Sequence, residues 1–457
     1  MISSENTSVP RLFGTSGIRG VVGKDLNYEM LWKVGRAIGS SLNSTSNILI
    51  ATDSRLTRDS VKAVVAMGLL SGGVNVIDAG ILPTPILAFA TVDIGLDMGI
   101  MITASHNPPE YNGVKLFTAE GIGYSSSQEN EIERIYAEHN FLNAPFARFK
   151  RADNIKTRYI EYLLAKFKQC GITHRFRIGI DPGNGAASGI ATEIFNAFGY
   201  SVITINDTPD GAFPGRSPEP KKETLENTYQ FLKDNQLDLA ICFDGDADRV
   251  VFVDQQGFIG FTESVAFLSY LAVKSSGKKK VATTVETGKF LDNALADMGV
   301  EVVRGKVGDV HVAHLTREID AAIGVEPIGV YILPEFGFYP NSIAAALTLL
   351  TSITDISEIH DFIDKIPPLY LGQRKISCAN EKKEALKKLI IQEAHLFGSG
   401  TINTLDGLRM DFDNSWILVR PSGTEPIFRI IAESPSETET EKLLNIASAT
   451  FRELAGV

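Results

Sequence analysis

Cysteine is scarce. The three in 457 residues (Cys170, Cys242 and Cys378) are far apart, odd in number and form no C-x-x-C pair. That excludes a disulfide framework or a structural zinc ribbon and suits a reducing compartment. Cys242 lies within the apolar run Leu239-Ala240-Ile241-Cys242-Phe243, where a buried strand thiol is expected. Long apolar runs are missing too: no stretch approaches the ~18 residues of a membrane span. Met1 to Pro10 is polar, without the apolar core of a secretory signal. A cytoplasmic protein with no membrane partner is expected. Basic clusters are equally rare. Lys278-Lys279-Lys280 precedes an apolar segment and reads as a solvated turn. With 55 acidic against 44 basic residues and a net charge of −11, general nucleic-acid binding is excluded. An anionic small molecule remains compatible if basic residues converge locally.

What is present is ordinary globular composition, 44% hydrophobic and 22% charged, in a chain long enough for several domains. Short apolar runs alternate with segments of helical period, the pattern of α/β units with mostly parallel strands. Strands are expected at Ile48–Ala51, Val74–Ile77 and Met98–Ile102, then at Arg177–Ile180, Tyr200–Ile205 and Leu237–Phe243, then at Lys280–Thr284 and Glu301–Val303. Helices are expected between them. From about Tyr370 the pattern changes to a helix over Glu381–Phe397, strands at Trp416–Val419 and Ile427–Glu433, and a last helix. The fold class is therefore α/β: three similar α/β domains with mixed sheets (1–150, 151–254 and 255–369) and a smaller C-terminal α+β domain (370–457).

Four segments resist explanation by packing. In Asp244-Gly245-Asp246-Ala247-Asp248-Arg249, three carboxylates at every second position follow a strand and, in an extended loop, would point one way. Their mutual repulsion calls for a divalent cation or a basic cluster, and all-oxygen ligation suits Mg²⁺. A calcium-binding EF-hand loop is excluded because its sixth position would be Arg249 and its twelfth Gln255. In Thr103-Ala104-Ser105-His106-Asn107-Pro108, at a strand's carboxyl end, Ser beside His suggests nucleophilic catalysis. Neighbours in sequence seldom form a dyad, however, and the G-x-S-x-G elbow is absent. A phosphorylated Ser105 would instead supply metal ligands and a transferable group; a capped turn is the alternative. Arg420-Pro421-Ser422-Gly423-Thr424-Glu425-Pro426, between two strands, has the backbone donors, hydroxyls and guanidinium of an anion cradle, which Arg429 can join; a plain hairpin is the alternative. Phe13-Gly14-Thr15-Ser16-Gly17-Ile18-Arg19-Gly20 lets backbone and Arg19 approach an anion, or is a flexible loop. Asp181 to Gly189 follows a strand and opens a helix, but its glycines depart from the dinucleotide fingerprint, so a structural turn is preferred.

Together, FGTSGIRG (13–20), TASHNPPEYNGVK (103–115), DPGNGAASG (181–189), DGDADR (244–249) and RPSGTEP (420–426) resemble the α-D-phosphohexomutase superfamily, which includes phosphoglucomutase/phosphomannomutase and phosphoglucosamine mutase. The likeness spans essentially the whole chain. It implies a heart-shaped four-domain enzyme with a central cleft, Mg²⁺ and a sugar bisphosphate activator, a small phosphosugar substrate, and a monomer or homodimer. By that resemblance Ser105 is the phosphoserine; Ser105, Asp244, Asp246 and Asp248 hold Mg²⁺; and Arg249 lies beside the phosphoryl group. Lys115, Arg19 and His106 make up the rest of the catalytic set. Arg420, Ser422, Gly423, Thr424 and Arg429 bind the non-reacting phosphate, and Glu326 binds sugar hydroxyls.

The sugar-recognition loop departs from the family's G-E-x-S-G-H. It reads Gly324-Val325-Glu326-Pro327-Ile328-Gly329-Val330, with Ile328 at the Ser and Val330 at the His position. The basic residue expected after the stretch at Gly305–Val310 is missing too, leaving Lys306 or His311 to compensate, and a G-R-D-G-like turn is replaced by Tyr339-Pro340-Asn341-Ser342. These changes spare phosphoryl transfer and fall on substrate reading. The expectation is an active mutase of the phosphoglucomutase/phosphomannomutase type. Phosphoglucosamine mutase is the alternative within the superfamily, and a non-catalytic phosphosugar-binding relative the alternative of another class.

Overall fold

The computed structural model describes residues 11–14, 17–144, 146–168, 176–423 and 425–456. Thr15, Ser16, Cys170, Thr424 and the segment Met1 to Pro10 lie outside the described residues. The chain forms two compact units. One contains the residues up to Ile259 together with Glu335–Thr354; the other contains Gly260–Pro334 and the residues from Asp355 onward.

The first unit holds two mixed sheets. In one, the strand order is Ile18–Val21, Tyr111–Thr118, Met98–Ile102, Asn47–Thr52, Asn75–Ile81, Phe149–Arg151. The last four run parallel, and Tyr111–Thr118 is antiparallel to both of its neighbours. In the other the order is Gly257–Ile259, Val250–Asp254, Leu239–Phe243, Arg177–Asp181, Ser201–Thr204, parallel across the last three and antiparallel elsewhere. Met98–Ile102 and Leu239–Phe243 are buried at every residue, as their unbroken apolar sequences require when both faces of a sheet are covered. Each passes its chain straight into a polar loop at its carboxyl end: Thr103 onward in one, Asp244 onward in the other.

Three elements add to or differ from the sequence expectation. Arg19, in a segment that could have been a flexible loop, lies on the strand Ile18–Val21, which pairs with the strand Tyr111–Thr118 that carries Lys115. The helix Ser342–Ser352 packs in the first unit, beside Val250–Asp254. It starts at Asn341, whose Oδ1 accepts from Ala344 N–H at 3.0 Å and from the Tyr159 hydroxyl at 2.9 Å.

The second unit holds a four-stranded sheet, Glu301–Gly305, Lys280–Thr284, Ile323–Glu326, Val330–Ile332, which is parallel except for the last pair. Its other sheet is fully antiparallel, Tyr370–Ser377, Ile427–Ser434, Trp416–Pro421, Leu408–Asp411, Thr401–Asn403, and forms the distinct C-terminal α+β fold with helices Asn380–Gln392 and Glu437–Ala455. The expected helix 381–397 is broken at Glu393, and its last turn, Ala394–Phe397, is a 3₁₀ segment.

Candidate active site

Ser105 is fully buried and takes a left-handed backbone conformation, φ 51°. A non-glycine residue holds that conformation only where its surroundings over-determine it. Here they do. The Ser105 N–H donates to Thr103 Oγ1 at 2.8 Å, and the Ser105 hydroxyl donates to Asp244 Oδ2 at 2.6 Å. The Ser105 loop and the aspartate loop, 139 residues apart in sequence, thus meet at one hydrogen bond. Contact is close elsewhere as well: a Cβ on Gly245 would stand 2.4 Å from Ser105 O, so only glycine fits there.

The aspartate loop is not extended, as the sequence pattern suggested. Ala247 is left-handed (φ 57°), and its N–H closes a turn onto Asp244 O at 3.2 Å. The turn brings ligand oxygens of Asp244, Asp246 and Asp248 within 4.8 Å of one another, all three residues being buried. Ser342, from the helix that rejoins this unit, donates its hydroxyl to Ala247 O at 2.6 Å and helps fix the turn. Asp246 Oδ2 accepts from Thr84 Oγ1 at 2.7 Å and from Lys115 Nζ at 3.1 Å, while Asp246 Oδ1 is buried with no hydrogen-bond partner. A buried carboxylate oxygen left without a donor, inside an all-oxygen cluster, fits a hard divalent cation such as Mg²⁺.

The three buried carboxylates perturb one another. Burial, then the repulsion of Asp248 and Asp246, hold the Asp244 carboxyl well above the usual carboxylate range. Asp246 also suffers burial, but the Lys115 ammonium and the Thr84 hydroxyl outweigh it and bring it down to about 2. His106 Nδ1 lies 3.3 Å from Ser105 Oγ. The Arg249 guanidinium, then burial, then Arg19, Lys115 and Arg55, push its imidazole far below the usual histidine range, so it stays neutral. Three cations border the cluster. Lys115 Nζ lies 2.5 Å from Asp248 Oδ2, and the Arg19 guanidinium donates to Asn107 Oδ1 at 3.1 Å. Arg249 Nε lies 3.9 Å from Asp248 Oδ1, while its backbone N–H donates to Asp244 Oδ1 at 3.1 Å.

The second unit carries the residues expected to bind the sugar and its other phosphate. Arg420 and Arg429 are cross-strand partners, an arrangement of like charges that is unfavourable unless anions neutralise it. Arg420 is buried, with its guanidinium 2.6 Å from Glu286 Oε1 and 3.2 Å from Asp406 Oδ2; Arg429 donates to Glu425 Oε2 at 2.9 Å. Carboxylates of the chain thus already occupy the guanidinium edges that a phosphate would use. Ser422 is buried, its hydroxyl accepting from Glu425 N–H at 3.1 Å, and Gly423 is exposed at the tip. Glu326 is buried at its strand end and accepts from Gly308 N–H at 3.0 Å, while Lys306 is exposed and His311 half-buried. Val330 is buried opposite Glu326 in an antiparallel pair, so the apolar residue at the expected His position is part of the sheet.

Models of the four phosphoglucomutase/phosphomannomutase domains match the chain in order: α/β/α domain I over 10–143, domain II over 157–257, domain III over 263–370 and the C-terminal domain over 375–447. A protein of Pyrococcus abyssi named "Probable phosphoglucosamine mutase" is 39% identical over 97% of this chain and 98% of its own length. One of the same name from Methanopyrus kandleri is 37% identical over 95% and 96%. The chain belongs to the phosphoglucomutase/phosphomannomutase family, within the α-D-phosphohexomutase superfamily. The fold is shared with a phosphoglucomutase/phosphomannomutase family protein of Burkholderia thailandensis (TM-score 0.87, 24% identity, 97% of this chain and 98% of the other). It is also shared with the open form of parafusin, a phosphoglucomutase of Paramecium (TM-score 0.76, 16% identity, 98% and 95%).

Within this phosphohexomutase site several buried residues escaped the sequence reading. Thr84 opens the helix Thr84–Asp93 and holds Asp246. Arg216 donates to Asp181 Oδ2 at 2.8 Å and to Phe243 O, the carbonyl just before Asp244, at 2.6 Å. Lys383 donates to Ser422 O at 2.7 Å and so holds the RPSGTEP turn from below. Asp53 and Arg55, in the loop after Asn47–Thr52, hold the Ser105 loop. An Asp-x-Arg at the carboxyl end of a parallel strand was the available signal for the last pair.

Proposed function

We propose that this member of the family interconverts hexose 1-phosphate and hexose 6-phosphate through a phosphoserine at Ser105 and a bisphosphorylated sugar. The observation that carries the proposal is the 2.6 Å contact of Ser105 Oγ with Asp244, at the edge of a buried three-carboxylate cluster bordered by Lys115, Arg19 and Arg249. Phosphoryl transfer asks mainly for positioning and charge neutralisation, and those are what these groups supply.

In the first half of the cycle the P–Oγ bond of phosphoserine breaks and a new P–O bond forms at the free hydroxyl of the sugar monophosphate. One proton passes, net, from that hydroxyl to Ser105 Oγ. Lys115, lying between the Asp246 and Asp248 carboxylates, is its proposed carrier. The bisphosphate then turns end for end, and its other phosphoryl group returns to Ser105. Asp244, Asp246, Asp248 and a phosphoserine oxygen would hold Mg²⁺, which when bound supplies charge neutralisation at the transferring group. Arg19 and Arg249 add positive charge beside the phosphoryl group. Neutral His106 adds no further charge next to Ser105. Arg420, Ser422, Gly423, Thr424 and Arg429 would hold the phosphate that is not reacting, and Glu326 the sugar hydroxyls.

Glucose and mannose phosphates are the first substrates to try. The name carried by the Pyrococcus abyssi and Methanopyrus kandleri relatives favours a second reading, in which the sugar is glucosamine phosphate. Intact-mass measurement after incubation with glucose 1,6-bisphosphate should show one added phosphoryl group on the wild type and none on Ser105→Ala. Coupled assays with glucose-, mannose- and glucosamine-1-phosphate then rank the substrates. Lack of turnover on all three by a phosphorylated wild type would defeat the proposal.

A further inference from the structure

We propose that Arg55 is a positioning residue for phosphoryl transfer: its guanidinium fixes the main chain around Ser105 in the geometry that presents Oγ to Asp244. The inference rests on Ser105 being the residue that carries the phosphoryl group.

Arg55 is completely buried and touches none of the metal-ligating carboxylates through a hydrogen bond. All five of its N–H donors are committed. Nε donates to Asp53 Oδ2 at 3.0 Å; one terminal nitrogen donates to Pro108 O at 2.5 Å and Tyr111 O at 2.9 Å; the other donates to Ser105 O at 2.8 Å and Asn107 O at 2.6 Å. A guanidinium is the one side chain with enough donors, in a rigid enough fork, to gather four carbonyls of a single loop. The loop so gathered runs from the phosphorylated residue to the start of the strand that carries Lys115.

The same residue reaches Ser105 by a second route. Asp53 Oδ2 accepts from Thr103 Oγ1 at 2.6 Å, and Thr103 Oγ1 accepts from Ser105 N–H at 2.8 Å. Arg55 therefore acts on the Ser105 carbonyl directly and on its N–H through Asp53 and Thr103. Holding Ser105 on both sides explains how it keeps its left-handed conformation. Arg55 is held in turn from the aspartate-loop domain. The Phe213 ring lies 5.3 Å from its guanidinium carbon, and Gly211 packs so closely on its backbone that a Cβ there would stand 2.2 Å from Leu56 N. The clamp is thus seated against the domain that supplies the Mg²⁺ ligands, and the separation of Ser105 from Asp244 depends on it.

The test compares wild type, Arg55→Lys and Arg55→Ala. Lysine keeps the charge and loses the fork. We expect Arg55→Lys to fold with wild-type circular dichroism and to lose kcat on the order of 10²-fold, the scale for a misplaced reacting group, with KM for hexose 1-phosphate within about threefold. Phosphoryl uptake at Ser105 from glucose 1,6-bisphosphate, followed by intact mass, should slow in parallel, and methylguanidinium should restore a measurable part of kcat to Arg55→Ala. A folded Arg55→Lys with kcat within about twofold of wild type would overturn the inference. So would activity lost only in proportion to the unfolded fraction, or an Arg55→Lys that does not fold, since either makes Arg55 purely structural. A wild type that takes up no phosphoryl group at Ser105 brings down the phosphoserine reading itself, and it is told apart because it fails before any variant is compared.

Discussion

Thr84 holds Asp246 twice: its backbone N–H donates to the Asp246 carbonyl at 2.9 Å, and its hydroxyl donates to Oδ2 at 2.7 Å. Because Thr84 is the first residue of the helix Thr84–Asp93, the carboxylate also sits at the positive end of that helix. One oxygen of Asp246 is thereby fixed, and the other is buried with no hydrogen-bond partner.

Thr84→Val keeps the shape and removes the hydroxyl. Stability should fall by about 1–3 kcal/mol, the cost of a hydrogen bond lost from a buried charged acceptor. Mg²⁺ affinity should fall by about 10–100-fold, as for other losses of a group that orients a metal ligand. Thermal unfolding and calorimetric titration with Mg²⁺ read the two effects separately. Unchanged affinity would remove Asp246 from the ligand set.

Asp246→Asn should leave the fold intact, since the amide can still accept from Thr84, while Mg²⁺-dependent turnover drops by at least about 10²-fold. Activity near the wild-type level with saturating Mg²⁺ would contradict the metal assignment.

Gly245→Ala places a methyl group 2.4 Å from Ser105 O. One loop must shift, at a cost of about 1–3 kcal/mol. If the two loops carry the two halves of the chemistry, as proposed, kcat should fall by a larger factor than stability loss alone accounts for. The check is a kinetic assay run alongside thermal unfolding. A lowered melting temperature with unchanged kcat would show that the loops tolerate separation.

Glu286→Gln removes a charge that competes for Arg420. The phosphate of an incoming sugar would then meet a less occupied guanidinium, so KM should fall, by about threefold to tenfold on the scale of one partly screened ion pair. Inhibition by inorganic phosphate should strengthen with it. A higher KM would mean instead that Glu286 orients Arg420 for its ligand.

Much of the site was legible because its residues sit where apolar runs stop. Met98–Ile102 and Leu239–Phe243 are continuous and buried, and the polar residues at the carboxyl end of each strand have no packing reason to be there. The supporting residues were not legible for the opposite reason. Thr84 stands at the start of a helix and Asp53 and Arg55 follow a strand, and only the long-range contacts show that they hold Asp246 and Ser105. The strand Tyr111–Thr118 was hidden because Asn112 and Lys115, both buried, break its apolar pattern. The bend of the aspartate loop was hidden because nothing in Asp-Ala-Asp announces that Ala247 takes a left-handed conformation.

The return of Glu335–Thr354 to the first unit has a consequence for how the chain is made. Ser342 steadies the turn at Ala247, and its helix packs beside Val250–Asp254, yet about eighty residues of other structure are synthesised in between. The nascent first unit must therefore leave the ribosome with that flank uncovered and wait for its final piece. A fragment ending near Ile259 would contain every expected magnesium ligand and still lack the segment that completes their support.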